Sequence, residues 1–202
     1  MVNENKRKIY LVLSQTGTIV SKIIRFVTRD KYNHISISLE EDLSALYSFG
    51  RKRPYNPFTA GFVKESPTTG TFGRFKKTQI VAIELPVSEE VYEAINAEVL
   101  DMYEHKDDYH YNYAGLFIAY FGKLRKKKNT YYCSEFVQMI LKKHGLGLKK
   151  GENELVCPND FVNVPGGHII YTGILREYKK QDGEEVASKA TNAEEAQIAL
   201  KA

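Results

Sequence analysis

The chain of 202 residues has few of the features that mark disulfide-rich or membrane-spanning proteins. It has only two cysteines, Cys133 and Cys157, which are too few for a disulfide framework. No apolar stretch approaches the roughly 20 residues that a membrane-spanning helix needs. The N-terminal apolar run over residues 9–13 is also too short for a signal peptide. We therefore expect a cytoplasmic protein without a transmembrane segment.

The sequence also lacks the spacing of metal ligands. Its two cysteines and five histidines include no pair such as Cys-x-x-Cys or His-x-x-x-His. The formal net charge of +4 is too small to indicate nucleic acid, although it fits weak attraction to an anionic surface. We therefore expect no metal, no cofactor and no nucleic-acid partner. Peripheral contact with a membrane through the basic run 123–128 stays open, and so does the oligomeric state.

The length and the distribution of apolar residues predict one domain followed by a tail. A chain of this size can bury roughly 70% of the surface that it exposes when unfolded, so it can fold around a core of its own. Large apolar residues become rare after residue 178, where Glu, Ala and Lys dominate. We predict one catalytic domain over residues 1–178 and a polar tail over residues 179–202, either a frayed helix or disordered.

Hydrophobic periodicity predicts an α+β fold. Strands are predicted over residues 9–13, 34–39, 43–50, 78–85 and 168–175. Helices are predicted over residues 19–27, 88–102, 114–121 and 133–143, with Ser88 as the N-cap of the second. Residues 51–77 are rich in Gly, Pro, Thr, Lys and Arg and predict a long loop, part of which would pack as a lid or wall.

Cys133 stands in the first turn of a predicted helix. Phe136, Val137 and Ile140 follow at helical spacing, and Gly145 supplies the stop signal. Unpaired backbone N–H groups and the positive end of the helix dipole favour a thiolate at such a position, which can lower the pKa of a cysteine. A free cysteine is also a common core residue, so the position alone leaves both interpretations open.

His34 begins a predicted strand on which its face is otherwise occupied by Ser36 and Ser38. These small hydroxyl side chains leave room over the imidazole, which suits the floor of a pocket. The alternative interpretation is that this face of the strand is exposed to solvent. Cysteine nucleophiles need an imidazole within hydrogen-bond reach and a polar group on its second nitrogen. The cysteine and the histidine of such a site may be far apart in sequence.

Three motifs together resemble the circularly permuted papain-like branch of the NlpC/p60 superfamily, which includes YiiX-like bacterial proteins and the lecithin retinol acyltransferase group. They are Asn-His-Ile-Ser-Ile at 33–37, Ala-Leu-Tyr-Ser-Phe at 45–49 and Tyr-Tyr-Cys-Ser-Glu-Phe-Val at 131–137. The histidine precedes the cysteine by about a hundred residues, the reverse of the order in papain. The resemblance covers residues 9–175. It implies a permuted papain-like α+β fold, with the nucleophile helix packed against an antiparallel sheet or barrel.

Carried over residue by residue, the resemblance implies Cys133 as nucleophile and His34 as general base and then general acid. The third polar group falls at Ser48, where family members have Glu or His, and a serine stabilises an imidazolium less than a carboxylate does. Tyr47, after a register shift, and the later carboxylate of Glu65 are the alternatives.

The oxyanion would be held by the backbone N–H of Cys133, with help from Tyr132 or Tyr32. Tyr47 joins these two as a candidate for the pocket wall. The resemblance thus implies a thiol hydrolase of the amidase or peptidase type that forms an acyl-enzyme on an amide or ester. Its substrate would be a cell-wall-type peptide, an amino-acid conjugate or a lipid acyl group. The alternatives are a lipid acyltransferase or acyl hydrolase on the same fold, and a non-catalytic ligand-binding module.

Overall fold

The computed structural model describes residues 6–16, 31–113, 128–151 and 154–179. Several expectations fall on other parts of the chain. The predicted helix over 19–27, the segment 114–121, residues 123–127 of the basic run and the tail beyond residue 179 lie outside the described residues.

The described residues form an α+β fold around an eight-stranded sheet. Its strands are β1 (Arg7–Gln15), β2 (His34–Ser38), β3 (Leu46–Arg53), β4 (Asn56–Glu65), β5 (Gln79–Val87), β6 (His110–Tyr111), β7 (Thr130–Tyr131) and β8 (His168–Ile174). Their order across the sheet is β7-β6-β4-β3-β2-β1-β5-β8. The α+β class is thus confirmed. The expected antiparallel sheet needs a correction, because β6 and β7 pair in parallel and make the sheet mixed.

Both faces of the central strands are buried. On β1, Ile9, Leu11 and Leu13 point into the larger core cluster, while Tyr10 and Val12 point into a smaller cluster on the other face. This follows from the period of two along a strand, which sends neighbouring side chains to opposite faces. Every position of such a strand can therefore be apolar, which explains the unbroken apolar run at residues 9–13.

Residues 51–77 are not the long loop that their composition predicts. They contain the end of β3, all of β4 and the short helix α1 (Gly70–Arg74). The strand is fixed by tertiary packing, since Phe62 on β4 pairs with Phe49 on β3 and their ring centroids lie 5.3 Å apart. Cross-strand aromatic pairs of this kind outweigh the low strand propensity of nearby Gly and Pro residues.

Two longer helices cover the larger core. Helix α2 (Glu89–Glu104) begins at the predicted N-cap, where the Ser88 hydroxyl accepts a hydrogen bond from the Val91 N–H at 3.3 Å. Helix α3 (Cys133–Lys143) packs against β2 and β3. Its residue Phe136 lies on Phe49, with ring centroids 5.7 Å apart. The helix that begins at Cys133 is therefore held against the sheet at the strand on which His34 lies.

Candidate active site

The Cys133 thiol is buried at the N-terminus of α3, with the residue only 6% exposed. The backbone N–H groups of Ile35, Ser134 and Cys133 itself face the sulfur. These donors lower the pKa of the thiol, but burial is the larger effect and raises that pKa above its ordinary value. The helix start therefore does not produce the low-pKa thiolate that such a position can favour.

The first turn of α3 is anchored on both sides of Cys133. The Ser134 hydroxyl donates a 2.7 Å hydrogen bond to the Val156 carbonyl. The backbone N–H of Tyr132 faces the Glu135 carboxylate at 3.4 Å, a carboxylate that also contacts the Asn112 side chain. These contacts satisfy helix-terminal groups and hold the position of the thiol.

His34 is the first residue of β2, opposite Ser14 on β1. Its Nε2 lies 3.4 Å from the Ser36 hydroxyl and 3.8 Å from Oε2 of Glu65. The imidazole is 19% exposed. Burial lowers the pKa of His34 to about 4, and the nearby Arg51 cation acts in the same direction.

Glu65 is the carboxyl group that the structure brings to His34. It ends β4, is 8% exposed and reaches across β3 to the imidazole. Burial raises the pKa of its carboxyl to about 7, against the opposing effects of the Thr71 hydroxyl and the Arg51 guanidinium. Because Glu65 is protonated at the pH where His34 titrates, it places no negative charge beside the imidazole there.

Ser48 lies next to this pair without completing it. Its hydroxyl is near the Glu65 carboxyl and lowers the pKa of that group, yet it is buried and makes no well-formed hydrogen bond within the described residues. A Cβ atom placed on Gly50 would lie 3.4 Å from the Ser48 hydroxyl and 3.5 Å from Oε2 of Glu65. Small side chains at 48 and 50 thus leave the space that the glutamate fills.

Tyr47 is on the other face of β3. It packs edge-on against Tyr103 on α2, with ring centroids 5.9 Å apart, and Lys64 lies 5.5 Å above its ring. The structure therefore places Tyr47 in the core beside α2 and not at the His34 imidazole. Among the three alternatives for the third polar group, Glu65 is the one that contacts this imidazole, with Oε2 3.8 Å from Nε2.

The thiol and the imidazole approach the start of β2 from its two sides. Cys133 and Ile35 belong to the same core cluster, whereas His34 shares the opposite side of the strand with Ser36. The thiol lies against the N–H of Ile35, the residue that follows His34. In the part of the chain that the structure describes, no hydrogen bond joins the sulfur to the imidazole.

Two further residues at this end of the sheet were not identified from the sequence. Burial and the nearby Cys133 raise the pKa of Tyr111, which also lies close to Arg51. Arg51, at the end of β3, lies near Glu65, Tyr111 and His34. The only sequence signal for Tyr111 was its tyrosine-rich neighbourhood, since the two-residue strand β6 is defined by its pairing with β7.

Of the two tyrosines predicted to help hold the oxyanion, Tyr132 lies near the Cys133 thiol and Tyr32 lies in the larger core cluster. The Tyr132 hydroxyl lies against the backbone N–H of Val156 and near both cysteines. Tyr32 is 1% exposed and belongs to the larger core cluster, where burial raises the pKa of its phenol. For the Tyr111 phenol, the Cys133 thiol is the largest cause of the raised pKa after burial.

The described residues contain no group of three His, Cys, Asp or Glu side chains that could hold a metal ion. Comparison of the chain with family models, with curated proteins and with solved structures finds no match. Among the helices that the structure describes, none has the length and apolar character needed to cross a bilayer.

Proposed function

We propose that this protein is a thiol hydrolase of the permuted papain-like type, in which Cys133 is the nucleophile and His34 the general base and acid. Glu65 stabilises the imidazolium in place of the residue expected at Ser48. The observation that carries this proposal is the contact of Glu65 with His34, together with a thiol at a helix N-terminus that lies against the N–H of Ile35, the residue after His34. Nucleophilic cysteine catalysis requires a thiol, an imidazole that accepts its proton, and a polar group such as a carboxylate that orients the imidazole.

The protonation states favour catalysis above neutral pH. Glu65 ionises near pH 7, whereas His34 is already neutral there, so the site then holds a thiol, a neutral imidazole and a carboxylate. An imidazole proton on Nε2, facing Glu65, leaves the lone pair of Nδ1 to receive the thiol proton. The carboxylate stabilises the imidazolium at the moment when it forms.

The reaction then proceeds in two stages, acylation of Cys133 and hydrolysis of the acyl-enzyme. The Cys133 sulfur forms a bond to the carbonyl carbon while its proton passes to His34, and the scissile C–N or C–O bond breaks as the leaving group takes that proton. Water next attacks the thioester while His34 removes a water proton. The C–S bond breaks, the sulfur regains the proton, and a carboxylic acid leaves.

The negative oxygen that forms in each stage needs hydrogen-bond donors close to the sulfur. The backbone N–H of Cys133 is one donor at the start of α3. We assign the second to the Tyr111 hydroxyl, because β6 pairs Tyr111 with Tyr131, two residues before Cys133, and because the Cys133 thiol raises the pKa of this phenol. A phenol of raised pKa remains protonated at neutral pH and can donate.

A non-catalytic binding module is the second candidate. The raised pKa of the Cys133 thiol and the lack of a described hydrogen bond between the thiol and His34 favour it. Catalysis requires these groups to approach each other when a substrate binds, as often happens to hydrogen bonds that are long in the free enzyme. A module that only binds ligands requires no such approach.

Acylation by an activated ester distinguishes the two candidates. We would mix the full chain with p-nitrophenyl acetate at pH 8, follow the release of nitrophenol, and locate the trapped acetyl group by peptide mapping. The hydrolase predicts one acetyl group on Cys133, followed by turnover, with Cys157→Ser as the matched control that retains both. Acetylation at Cys157, or equal rates in Cys133→Ala and the unmodified protein, would overturn the proposal. An added amine that accepts the acetyl group faster than water would identify a transferase.

A further inference from the structure

Nearly all the charged residues of one segment around the candidate site are positive. Residues 43–83 contain seven Lys and Arg side chains and a single carboxylate, Glu65. That carboxylate is buried and has a pKa raised to about 7, so it contributes little negative charge to the surface. The whole chain has a formal net charge of only +4, which means that this segment is far more basic than the average.

Five cations of this segment are exposed and have no ion pair with a carboxylate within the described residues: Arg53, Lys64, Arg74, Lys76 and Lys77. The Lys64 ammonium lies over the Tyr47 ring, and the other four belong to the hairpin end and to α1 and the residues after it. Several cations elsewhere on the surface are paired with carboxylates. Lys8 contacts Glu84 at 2.9 Å, Lys143 contacts Glu98 at 2.9 Å and Lys150 contacts Asp160 at 2.6 Å. Unpaired like charges repel one another, so a surface that gathers them favours an anionic partner.

An exposed aromatic side chain lies among these cations. Tyr55, at the tip of the β3–β4 hairpin, is 81% exposed. The Arg74 guanidinium lies 3.9 Å above its ring, which joins the hairpin tip to α1. Arg176 donates a 2.9 Å hydrogen bond to the Gly73 carbonyl and adds a further cation at the same helix. We call Arg53, Tyr55, Arg74, Lys76 and Lys77 the basic hairpin face.

We infer that the basic hairpin face docks the protein on an anionic lipid membrane. Lys and Arg side chains near such a surface each contribute about 1 kcal/mol of attraction. A tyrosine ring with its polar hydroxyl is the kind of side chain that settles at the level of the lipid headgroups. The inference does not rest on catalysis, since binding requires only the surface.

A nucleic acid would be the other polyanion, but the face suits it less. Binding of single strands relies on several aromatic rings on which successive bases stack. The basic hairpin face has one exposed aromatic residue, and the Arg74 guanidinium already covers a face of that ring. Headgroup binding needs no free ring face.

The docking face adjoins the candidate active site. Arg51 interacts with both Glu65 and Arg74, and it lies on the same strand as the hairpin tip. A membrane bound at this face would therefore lie next to the end of the sheet at which His34 and Glu65 meet. An acyl substrate carried by that membrane could reach the thiol without leaving the lipid surface.

The chain offers a clean optical test, because it has no tryptophan. Tyr55→Trp in the full chain introduces the sole indole at the proposed contact. We would titrate this variant with vesicles of phosphatidylcholine alone and of phosphatidylcholine with phosphatidylglycerol at 0.1 M salt. The inference predicts a blue-shifted emission with the anionic vesicles alone, and quenching by lipids brominated in the acyl chains. No binding, or equal binding to both vesicles, would overturn it.

A pair of charge-matched variants tests whether the face itself is responsible. In the Tyr55→Trp background, Lys76→Gln/Lys77→Gln should weaken vesicle binding about 30-fold, at about fivefold per cation. Lys142→Gln/Lys149→Gln removes the same charge from exposed positions at and beyond the end of α3, and should weaken binding less than threefold. Equal weakening by both pairs would overturn the inference, and so would tight binding of soluble duplex DNA without quenching by brominated lipid.

Discussion

Glu65 reaches across β3 to place its Oε2 atom 3.8 Å from Nε2 of His34. The Glu65 side chain is buried and the His34 imidazole is 19% exposed, and each is held in its neutral form over a range where the free side chain would be charged. Between about pH 4 and pH 7 the folded pair holds one proton on Glu65, while the unfolded pair, up to the ordinary pKa of histidine, holds one proton on His34. The pair therefore binds nearly as many protons folded as unfolded.

The pH dependence of stability should appear when one member of this pair is removed. In Glu65→Gln only His34 remains, whose pKa is lowered from 6.5 to about 4, so stability is present above pH 6.5 and lost as pH falls toward 4. In His34→Gln only Glu65 remains, whose pKa is raised from 4.5 to about 7. The contribution of Glu65 to the stability of the protein is present below pH 4.5 and is lost as the pH rises through 7.

Urea unfolding at several values between pH 4.5 and pH 6.5 measures these slopes. Relative to the unmodified protein, the free energy of unfolding should rise by roughly 2–3 kcal/mol across this range in Glu65→Gln and fall by a similar amount in His34→Gln. Slopes of the same sign in both variants would contradict the assignment of the proton to Glu65 in the folded protein and to His34 in the unfolded protein.

The Cys133 thiol should react as a buried thiol and not as a preformed thiolate. Because burial raises its pKa, the rate of alkylation by iodoacetamide should still be rising at pH 9 in a Cys157→Ser background. The same protein unfolded in urea should titrate near the ordinary pKa of cysteine, which supplies the control. A rate that reaches its plateau below pH 7 would show instead that the free protein holds a thiolate–imidazolium pair.

Tyr111→Phe should slow acylation of Cys133 by roughly 10²-fold, because it removes a hydrogen-bond donor to the developing oxyanion and leaves the ring in place. Tyr132→Phe is the matched control. Its hydroxyl lies against Val156, so its loss should change the rate less than threefold. Stopped-flow release of nitrophenol from the ester measures both, and equal effects would remove Tyr111 from its assigned role.

Ser48→Ala and Gly50→Val should differ sharply, although both change the same strand. Ser48→Ala removes a buried hydroxyl that makes no well-formed hydrogen bond, so stability should change by less than about 1 kcal/mol. Gly50→Val adds atoms within contact distance of Oε2 of Glu65 and should displace that carboxyl from His34. The predicted result is a slow acylation in Gly50→Val alone. Similar rates in the two variants would show that the space beside Gly50 is unimportant.

Local patterns in the sequence were sufficient to locate Cys133 and His34, because a helix start and a strand start each depend on neighbouring residues. Local patterns left the third polar group open among Ser48, Tyr47 and Glu65. Glu65 reaches His34 only because β4 lies beside β3 and because residues 48 and 50 are small. The strand itself was missed, since its Gly and Pro content predicts a loop while its Phe62 packs in the core. Tyr111 depends on a parallel pairing that no short-range pattern encodes.

The most direct test of the account is a double-mutant cycle on the rate of Cys133 acylation at pH 8, where Glu65 is ionised. Glu65→Gln should slow acylation by roughly 10²-fold in the unmodified protein, because the imidazolium loses its carboxylate. The same substitution should have almost no further effect in a His34→Ala background, since Glu65 acts only through the imidazole. Equal slowing in both backgrounds would contradict a Cys133, His34 and Glu65 relay.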